Sequence, residues 1–314
     1  MAQNESIDVL FRIFAVITLQ HHFVMEQFTE KYINPHTDFG FKRLFGTEFN
    51  KELLISFLNA LLTGEQVIRD VSYLNNEHFG DSLSARRAIF DVYCENEHGE
   101  KFIVEMQNVY QQFFKDRSIY YSTFPIREQA RRGDWDFELK SVYTVGLLNF
   151  VFDEDKDDPS CFHHEVKLMD THKKTVFYDK LTFVYIEIPK FDKTEDQLQT
   201  MFDKWMYVLK NLSRLMSRPA ALQERVFTRL FEQAEIARFT TAELKHYEDS
   251  MNAYSDITNA INTARRDSRE EGLKEGIAKE RMRTIDRMRK CGMDDTTIAN
   301  ILGIEVSDIA NQSK

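Results

Sequence analysis

The strongest constraint on the fold is a pair of alternating segments, 88–95 and 101–108, separated by a short stretch that contains Gly99. Successive side chains of a strand point to opposite faces, so each segment predicts a strand with one apolar face. A glycine suits the left-handed third position of a three-residue hairpin loop. The two segments are therefore predicted to form an antiparallel hairpin whose loop is residues 97–99.

This hairpin brings two acidic side chains together. With the loop at residues 97–99, Asp91 falls directly opposite Glu105. Opposed residues have Cβ atoms about 4.5–5.5 Å apart, and two like charges there destabilise the sheet unless a cation lies between them. Gln107 shares the face of Glu105, and its amide can orient a water molecule. The alternative interpretation is that this acidic face simply lies in solvent. In both cases the expected core face is Phe90, Val92, Phe102, Val104 and Met106.

The remaining pattern predicts an α/β fold. Apolar residues at helical spacing predict helices over 52–62, 117–132 and 197–212. Largely apolar runs predict buried strands over 142–151 and 181–188, and an acidic run between them is expected to be a solvated turn. Strands that alternate with helices form an α/β core, which a mostly helical C-terminal region follows.

The C-terminal part is charged and helical. Residues 264–290 interleave Arg and Glu, which is typical of a solvated helix, and residues 294–310 predict two short helices around Gly303. This pair resembles half of a helix-turn-helix, but its acidic side chains argue against phosphate contact. We expect it to mediate packing or association with protein, including a homodimer.

Composition limits the class of protein. The 314 residues are 42% hydrophobic, and their net charge is −10. Such a chain can bury a sizeable core, and its acidity argues against a generally basic surface while still allowing a local basic groove. Three scattered cysteines provide no disulfide framework, which indicates a reducing, cytoplasmic compartment. The apolar segment 9–24 is too short to span a membrane, and Met25 is an alternative gene start.

Other kinds of chemistry lack their motifs. His163, His164 and His172, with Glu165 nearby, do not have zinc-ligand spacing and are interpreted as loop or surface histidines. The sequence contains no phosphate-binding glycine loop and no nucleophile elbow.

Several runs, taken in order, resemble a known family. Asp91 within Ala88–Val92, followed by Val104–Gln107, resembles the PD-(D/E)XK nuclease signature, with Gln in place of Lys and Phe90 in place of Pro. Four further runs are similar to the Rpn-like recombination-promoting nucleases, which are also described as transposases. In chain order, these runs are Asp38–Gly46, Glu105–Gln107, Arg117 with Tyr120–Ser122, and Glu187–Phe191. The resemblance extends from about Asn34 to the C-terminus.

This resemblance implies a restriction-endonuclease-like mixed sheet flanked by helices, and a DNA endonuclease that promotes recombination. Asp91 and Glu105 would bind Mg²⁺ or another divalent cation such as Mn²⁺, and Gln107 would be the third active-site residue. The missing Lys leaves water activation to the metal, because an amide is not a strong base. The alternative is a catalytically weak DNA-binding or interaction protein that retains the fold. A true transposase would need three carboxylates on a different strand order, and no such arrangement is visible.

Other charged residues are candidates for the same site. Asp38 is a candidate supporting carboxylate, or else an N-terminal helix cap. Four basic residues are candidate DNA phosphate contacts or surface charges: Lys42, Arg43, Arg117 and Arg127.

The expected organisation has four parts. Residues 1–33 form an N-terminal extension, and 34–190 form the nuclease core. Residues 191–262 form a helical region that packs on the core, and 263–314 form the charged helix and the C-terminal helical hairpin.

Overall fold

The computed structural model describes residues 30–62, 67–78, 88–130 and 136–311. Contacts divide the chain into a first unit that ends at Tyr254 and a second that begins at Ser255. The interpretation of Met25 as a gene start concerns residues outside this described part.

The first unit contains a sheet and helices. Its strands, in chain order, are β1 (Val71–Tyr73), β2 (Glu77–His78), β3 (Ala88–Ile89), β4 (Val92–Asn96), β5 (Lys101–Gln107), β6 (Val142–Leu148), β7 (His163–Asp170) and β8 (Thr175–Glu187). Its helices are α1 (Asp38–Phe45), α2 (Lys51–Leu61), α3 (Phe114–Glu128), α4 (Met201–Asn211) and α5 (Arg225–Ala234). Helix α6 (Thr241–Lys290) begins in this unit and continues into the second.

Six strands form one mixed sheet in the order β1-β4-β5-β6-β8-β7. Strands β5, β6 and β8 are parallel, whereas β1, β4 and β7 pair antiparallel with their neighbours. Parallel strands need both faces covered, because their crossover connections place helices on the sheet. The predicted mixed sheet flanked by helices is confirmed.

Helices cover both faces of the sheet. On one face, Val92, Cys94 and Val104 belong to a large core that includes Trp205 from α4 and Phe45 from α1. On the other face, a smaller cluster beneath α3 contains Phe90, Tyr93, Ile103 and Phe124. Tyr93 and Ile103 are 2% and 0% exposed. The interpretation of the acidic face as solvent-facing is therefore wrong, since aromatic side chains from α3 cover it.

The predicted hairpin is confirmed. Val92 pairs with Val104 and Glu95 with Lys101, a register that puts Asp91 opposite Glu105. Asn96 N–H donates to Glu100 O at 3.0 Å. The loop residue Gly99 has φ +77°, the left-handed conformation for which glycine is suited.

The strand predicted over 88–95 is interrupted at Phe90 and Asp91. The backbone bends at Asp91, and Phe90 N–H donates to Asn76 O at 2.9 Å. The bend reverses the expected alternation, so the Phe90 ring packs 5.1 Å from Tyr121 of α3. The alternation of the sequence predicted that Phe90 would share the face of Val92, and this prediction is wrong.

One other prediction needed correction. Strand β7 (His163–Asp170) lies where only a loop was expected. The acidic run after β6 is a short 3-10 helix, Asp153–Asp155, followed by a turn, and its side chains are exposed apart from the half-buried Asp155, so the predicted solvated turn is largely confirmed.

The second unit has its own small core. Helices α7 (Asp295–Leu302) and α8 (Val306–Asn311) follow α6, and Gly303 between them has φ +65°. Ile298 and Ile309 pack with Ile285 of α6. The two predicted short helices around Gly303 are confirmed. Among the helices in the described ranges, none is both long enough and apolar enough to cross a membrane.

Candidate active site

The site is built on the open end of the β4–β5 hairpin, at the carboxylates of Asp91 and Glu105. Asp91 N–H donates to Glu105 Oε1 at 3.2 Å, and Met106 N–H donates to Asp91 Oδ2 at 2.8 Å. Each carboxylate is thus held by the main chain of the opposite strand. The second oxygens, Asp91 Oδ1 and Glu105 Oε2, accept no hydrogen bond from the described residues, which leaves one oxygen of each carboxylate for a cation.

The electrostatics of this pair favour a bound cation. Burial raises the pKa of Asp91, and the neighbouring Asp38 carboxylate raises it further. Burial and the Asp91 charge together raise the pKa of Glu105. The positive charges of Lys42 and Arg117 lower both pKa values, but each pKa remains above its ordinary value. Asp91 is half-buried and Glu105 is buried, and their oxygen donors match the ligand preference of Mg²⁺ or Mn²⁺, so the residues fit the metal that the family resemblance implies.

Gln107 is held at both ends of its amide. Its Nε2 donates to Val109 O at 2.9 Å, and its Oε1 accepts from the guanidinium of Arg117. Arg117 also donates to Gln111 Oε1 at 2.6 Å, and its guanidinium lies 5.2 Å from the ring centre of Phe114. Arg117, in the first turn of α3, therefore places a positive charge beside Gln107, the residue that stands where the signature would have lysine.

The approach of α3 depends on a glycine in β6. Gly146 is paired in parallel register with Glu105. A Cβ on Gly146 would lie 3.1 Å from Tyr185 Cδ1 and 3.2 Å from Phe114 Cζ. Such contacts are tighter than normal packing allows, so the missing side chain lets Phe114, and with it the start of α3, lie against the sheet.

Helix α1 contributes Asp38 and Lys42. The helix cap is Thr37, whose hydroxyl accepts from Gly40 N at 3.0 Å, so the interpretation of Asp38 as the cap is wrong. Asp38 instead pairs with Lys42 at 2.7 Å. Both residues line a groove of about 620 Å³ that also contains Asp91. This groove opens onto Asp91.

The other two candidate phosphate contacts are placed differently. Arg43 donates to Gln233 O at 3.0 Å, pairs with Glu243 at 2.5 Å and stacks 4.3 Å from the Phe239 ring centre. Its charge is therefore used within the fold. Arg127 is exposed near the end of α3, about 15 Å along the helix from Arg117. Arg43 lines the same groove as Lys42 and Asp91, but the positive charges that act on the two carboxylates are those of Lys42 and Arg117.

A second cluster of ligand-type residues was not expected from the sequence. Asp155, His164 and Glu187 place one ligand atom each within 4.8 Å of the others. His163 and His164 are half-buried on β7, so their interpretation as loop or surface histidines is wrong; His172 is exposed at the β7–β8 turn, as expected. Glu187 occurred in a family-like run but had been given no role, because its partners are distant in sequence.

Comparison with known families decides the classification. Residues 35–264 match the family described as PD-(D/E)XK nuclease family transposase. The chain belongs to this family. The match covers the sheet, the Asp91–Glu105 hairpin and helices α1 to α5, and it confirms the resemblance of the short motifs. No curated protein and no solved structure gives a significant match to this chain.

Proposed function

We propose that this protein is a divalent-metal-dependent DNA endonuclease that hydrolyses phosphodiester bonds and promotes recombination. One observation carries the proposal: Asp91 and Glu105 are opposed and partly or wholly buried, with one oxygen of each fixed by the backbone. Family membership supports a nuclease and makes DNA the expected substrate. Like-charged carboxylates at this spacing destabilise the metal-free sheet, so their presence is best explained by a cation.

Each residue has a specific part in this proposal. Asp91 and Glu105 hold the cation, which when bound supplies Lewis-acid stabilisation and lowers the pKa of water. Arg117 holds Gln107 in one orientation and places a positive charge beside the carboxylates. Lys42 lines the groove, where it can meet the phosphate backbone. Preorganised charges of this kind stabilise negative charge that develops on a phosphoryl group.

A catalytically weak DNA-binding protein is the second candidate. It is favoured by one observation, the engagement of Gln107 at both ends of its amide. Gln107 stands where the signature would have lysine, and an amide held at both ends cannot act as a strong base. The net charge of −10 also weakens binding to DNA by general electrostatics.

Cleavage of supercoiled plasmid by the full-length protein tests the proposal. Reactions contain Mg²⁺, Mn²⁺ or chelator, and they compare the wild type with Asp91→Asn and Glu105→Gln. The matched control is Glu95→Gln, which changes a carboxylate of the same hairpin that pairs with Lys101. We expect metal-dependent nicking or linearisation by the wild type and the control, and none by the two site variants.

Two other results are informative. DNA binding without cleavage over all metals would establish the binding-protein alternative. Cleavage that survives both Asp91→Asn and Glu105→Gln would show that the hairpin is not the active site. A homodimer would supply two sites for two strands, and light scattering that shows one chain per DNA duplex would remove that part of the proposal.

A further inference from the structure

Three segments that are far apart in sequence meet at the β7–β8 edge of the sheet. Asp155 ends the 3-10 helix after β6, His164 lies in β7, and Glu187 ends β8. His164 pairs with Tyr185 across the antiparallel ladder, so Glu187 follows two residues later on the same face. Carboxylate and imidazole side chains therefore converge here without any local spacing motif.

The distances at His164 are too long for hydrogen bonds. His164 Nε2 lies 3.6 Å from Glu187 Oε2 and 3.7 Å from Asp155 Oδ2. Hydrogen bonds between nitrogen and oxygen span about 2.7–3.2 Å. His164 Nε2 is nevertheless inaccessible to solvent and has no hydrogen-bond partner. A buried polar atom without a hydrogen-bond partner destabilises the fold, so this arrangement calls for an explanation.

A metal ion accounts for these distances. Zinc binds imidazole nitrogen and carboxylate oxygen at about 2.0–2.2 Å in a tetrahedral geometry. Two ligands of one such ion are separated by about 3.4 Å, from simple tetrahedral geometry with those bond lengths. The observed 3.6 and 3.7 Å lie close to this value. His164 Nε2 is therefore spaced to share one ion with Glu187 Oε2 and with Asp155 Oδ2 after a small contraction, and the three side chains offer ligand atoms within 4.8 Å of one another.

The charges around the cluster also favour a cation. Glu187 is 0% exposed, and its Oε1 accepts from Phe152 N–H at 2.6 Å. Lys190 Nζ lies 2.7 Å from Glu187 Oε2, so one positive charge faces two carboxylates. Two carboxylates and one ammonium group leave a net negative charge beside the imidazole. On the far side of the ring, His164 Nδ1 lies 3.8 Å from Cys161 Sγ, a contact that helps orient the imidazole.

We propose that Asp155, His164 and Glu187 bind a transition-metal ion, with Zn²⁺ as the best fit, at a site separate from Asp91 and Glu105. Glu187 is in register with Leu148 and then Gln107, which places it two strands, about 10 Å, from Gln107. An imidazole ligand suits zinc and disfavours Mg²⁺. Bound there, the ion joins the Asp153–Asp155 segment to β7 and β8, so its role is structural.

Zinc binding to the full-length protein tests this proposal. The protein is dialysed against Zn²⁺ in the presence of excess Mg²⁺, and bound zinc is measured by mass spectrometry. The variants are His164→Gln and Asp155→Asn. The matched control is His172→Gln, which changes an exposed histidine at the β7–β8 turn. Co²⁺ is used as a spectroscopic probe, because its visible absorption reports coordination geometry.

We expect one Zn²⁺ per chain in the wild type, in His172→Gln and in Glu105→Gln. His164→Gln and Asp155→Asn are expected to bind Zn²⁺ more than about 100-fold more weakly, since the loss of even an outer-shell partner costs 10–100-fold. Their melting temperatures without metal, measured beside the wild type, separate lost binding from lost folding. Zinc should raise the melting temperature of the wild type and of neither variant.

Three results would overturn the proposal. These are no bound zinc in the wild type, equal zinc in folded His164→Gln, or zinc that is lost from Glu105→Gln but kept by His164→Gln. Because no DNA cleavage is measured, a failure here is distinct from a failure of the proposed nuclease.

Discussion

The two carboxylate clusters of this protein differ in how they are assembled and in what they can bind. Asp91 and Glu105 belong to one hairpin, and backbone N–H groups fix one oxygen of each. Asp155, His164 and Glu187 come from three separate segments, and their cluster includes an imidazole nitrogen without a partner. Oxygen donors alone favour Mg²⁺, whereas an imidazole favours zinc. Two metals could thus be sorted by donor chemistry within one sheet.

The largest expected difference between the clusters is in DNA cleavage. Asp91→Asn and Glu105→Gln should each lower the cleavage rate by at least about 10³-fold, because loss of even one oxyanion donor costs 10²–10³-fold. His164→Gln should lower it by less than about tenfold, since that cluster supports structure. Single-turnover rates on plasmid DNA check this. Equal losses in the three variants would show that the clusters act as one site.

Arg117 sharpens the assignment of the first cluster. Arg117→Gln should lower kcat by about 10²-fold, because it removes the charge beside the carboxylates and releases Gln107. Arg117→Lys should recover part of this loss, since it keeps the charge but loses the planar donor pair. The control is Lys115→Gln, which changes a residue of the same turn that pairs with Glu154. An effect on KM alone would mean that Arg117 only binds DNA.

In the absence of metal, a substitution in the Asp91–Glu105 pair is expected to raise the stability of the fold, although the same substitution is expected to lower DNA cleavage. The folded pKa of Asp91 and of Glu105 lies above the unfolded value. The contribution of Glu105 to stability is therefore fully present below about pH 4 and is lost as the pH rises towards the folded pKa of about 8, and the contribution of Asp91 changes in the same direction. Glu105→Gln lacks this loss and should be more stable than the wild type by about 1–2 kcal/mol at pH 7.

Urea unfolding with chelator, at several pH values between 4 and 8, measures this effect. The advantage of Glu105→Gln should grow with pH, and saturating Mg²⁺ should remove it by stabilising only the wild type. Glu95→Gln, at the other end of the hairpin, should show no such gain. A Glu105→Gln protein that is less stable at every pH would contradict the pKa directions.

The smallest expected effect concerns DNA affinity around the first cluster. Lys42→Gln should weaken DNA binding a few-fold and reduce the slope of log K against log salt by about 1, as expected for one phosphate contact. Arg43→Gln should leave the slope unchanged and lower the melting temperature, because Arg43 pairs with Glu243. Fluorescence anisotropy at several salt concentrations distinguishes these outcomes.

The hairpin site could be predicted because its information is local. Alternating side chains and Gly99 set the register, and the register places Asp91 opposite Glu105. The bend at Phe90 was not predictable in the same way. It depends on the bond from Phe90 N–H to Asn76 O and on aromatic packing against α3, and neither appears in the alternation of residues 88–95.

The zinc-type cluster could not be predicted, since it depends on long-range pairing. The side chains of strand β7 are exposed or half-buried, and its polar and apolar residues do not alternate regularly. The sequence pattern therefore gives little indication of a strand. Without that strand, His164 had no expected neighbour. Glu187 was recognisable only as part of a family-like run, and its partner Asp155 lay in a segment interpreted as solvated.

The absent side chain of Gly146 makes the Asp91–Glu105 site sensitive to a single methyl group. Gly146 lies beside Glu105, and Phe114 occupies the space that a Cβ would need. Arg117 follows one turn after Phe114 on the same helix, so any displacement of the ring also displaces the guanidinium. A substitution at this one position would therefore change the charge distribution around Asp91 and Glu105 without altering any charged residue, and the signature would stay intact.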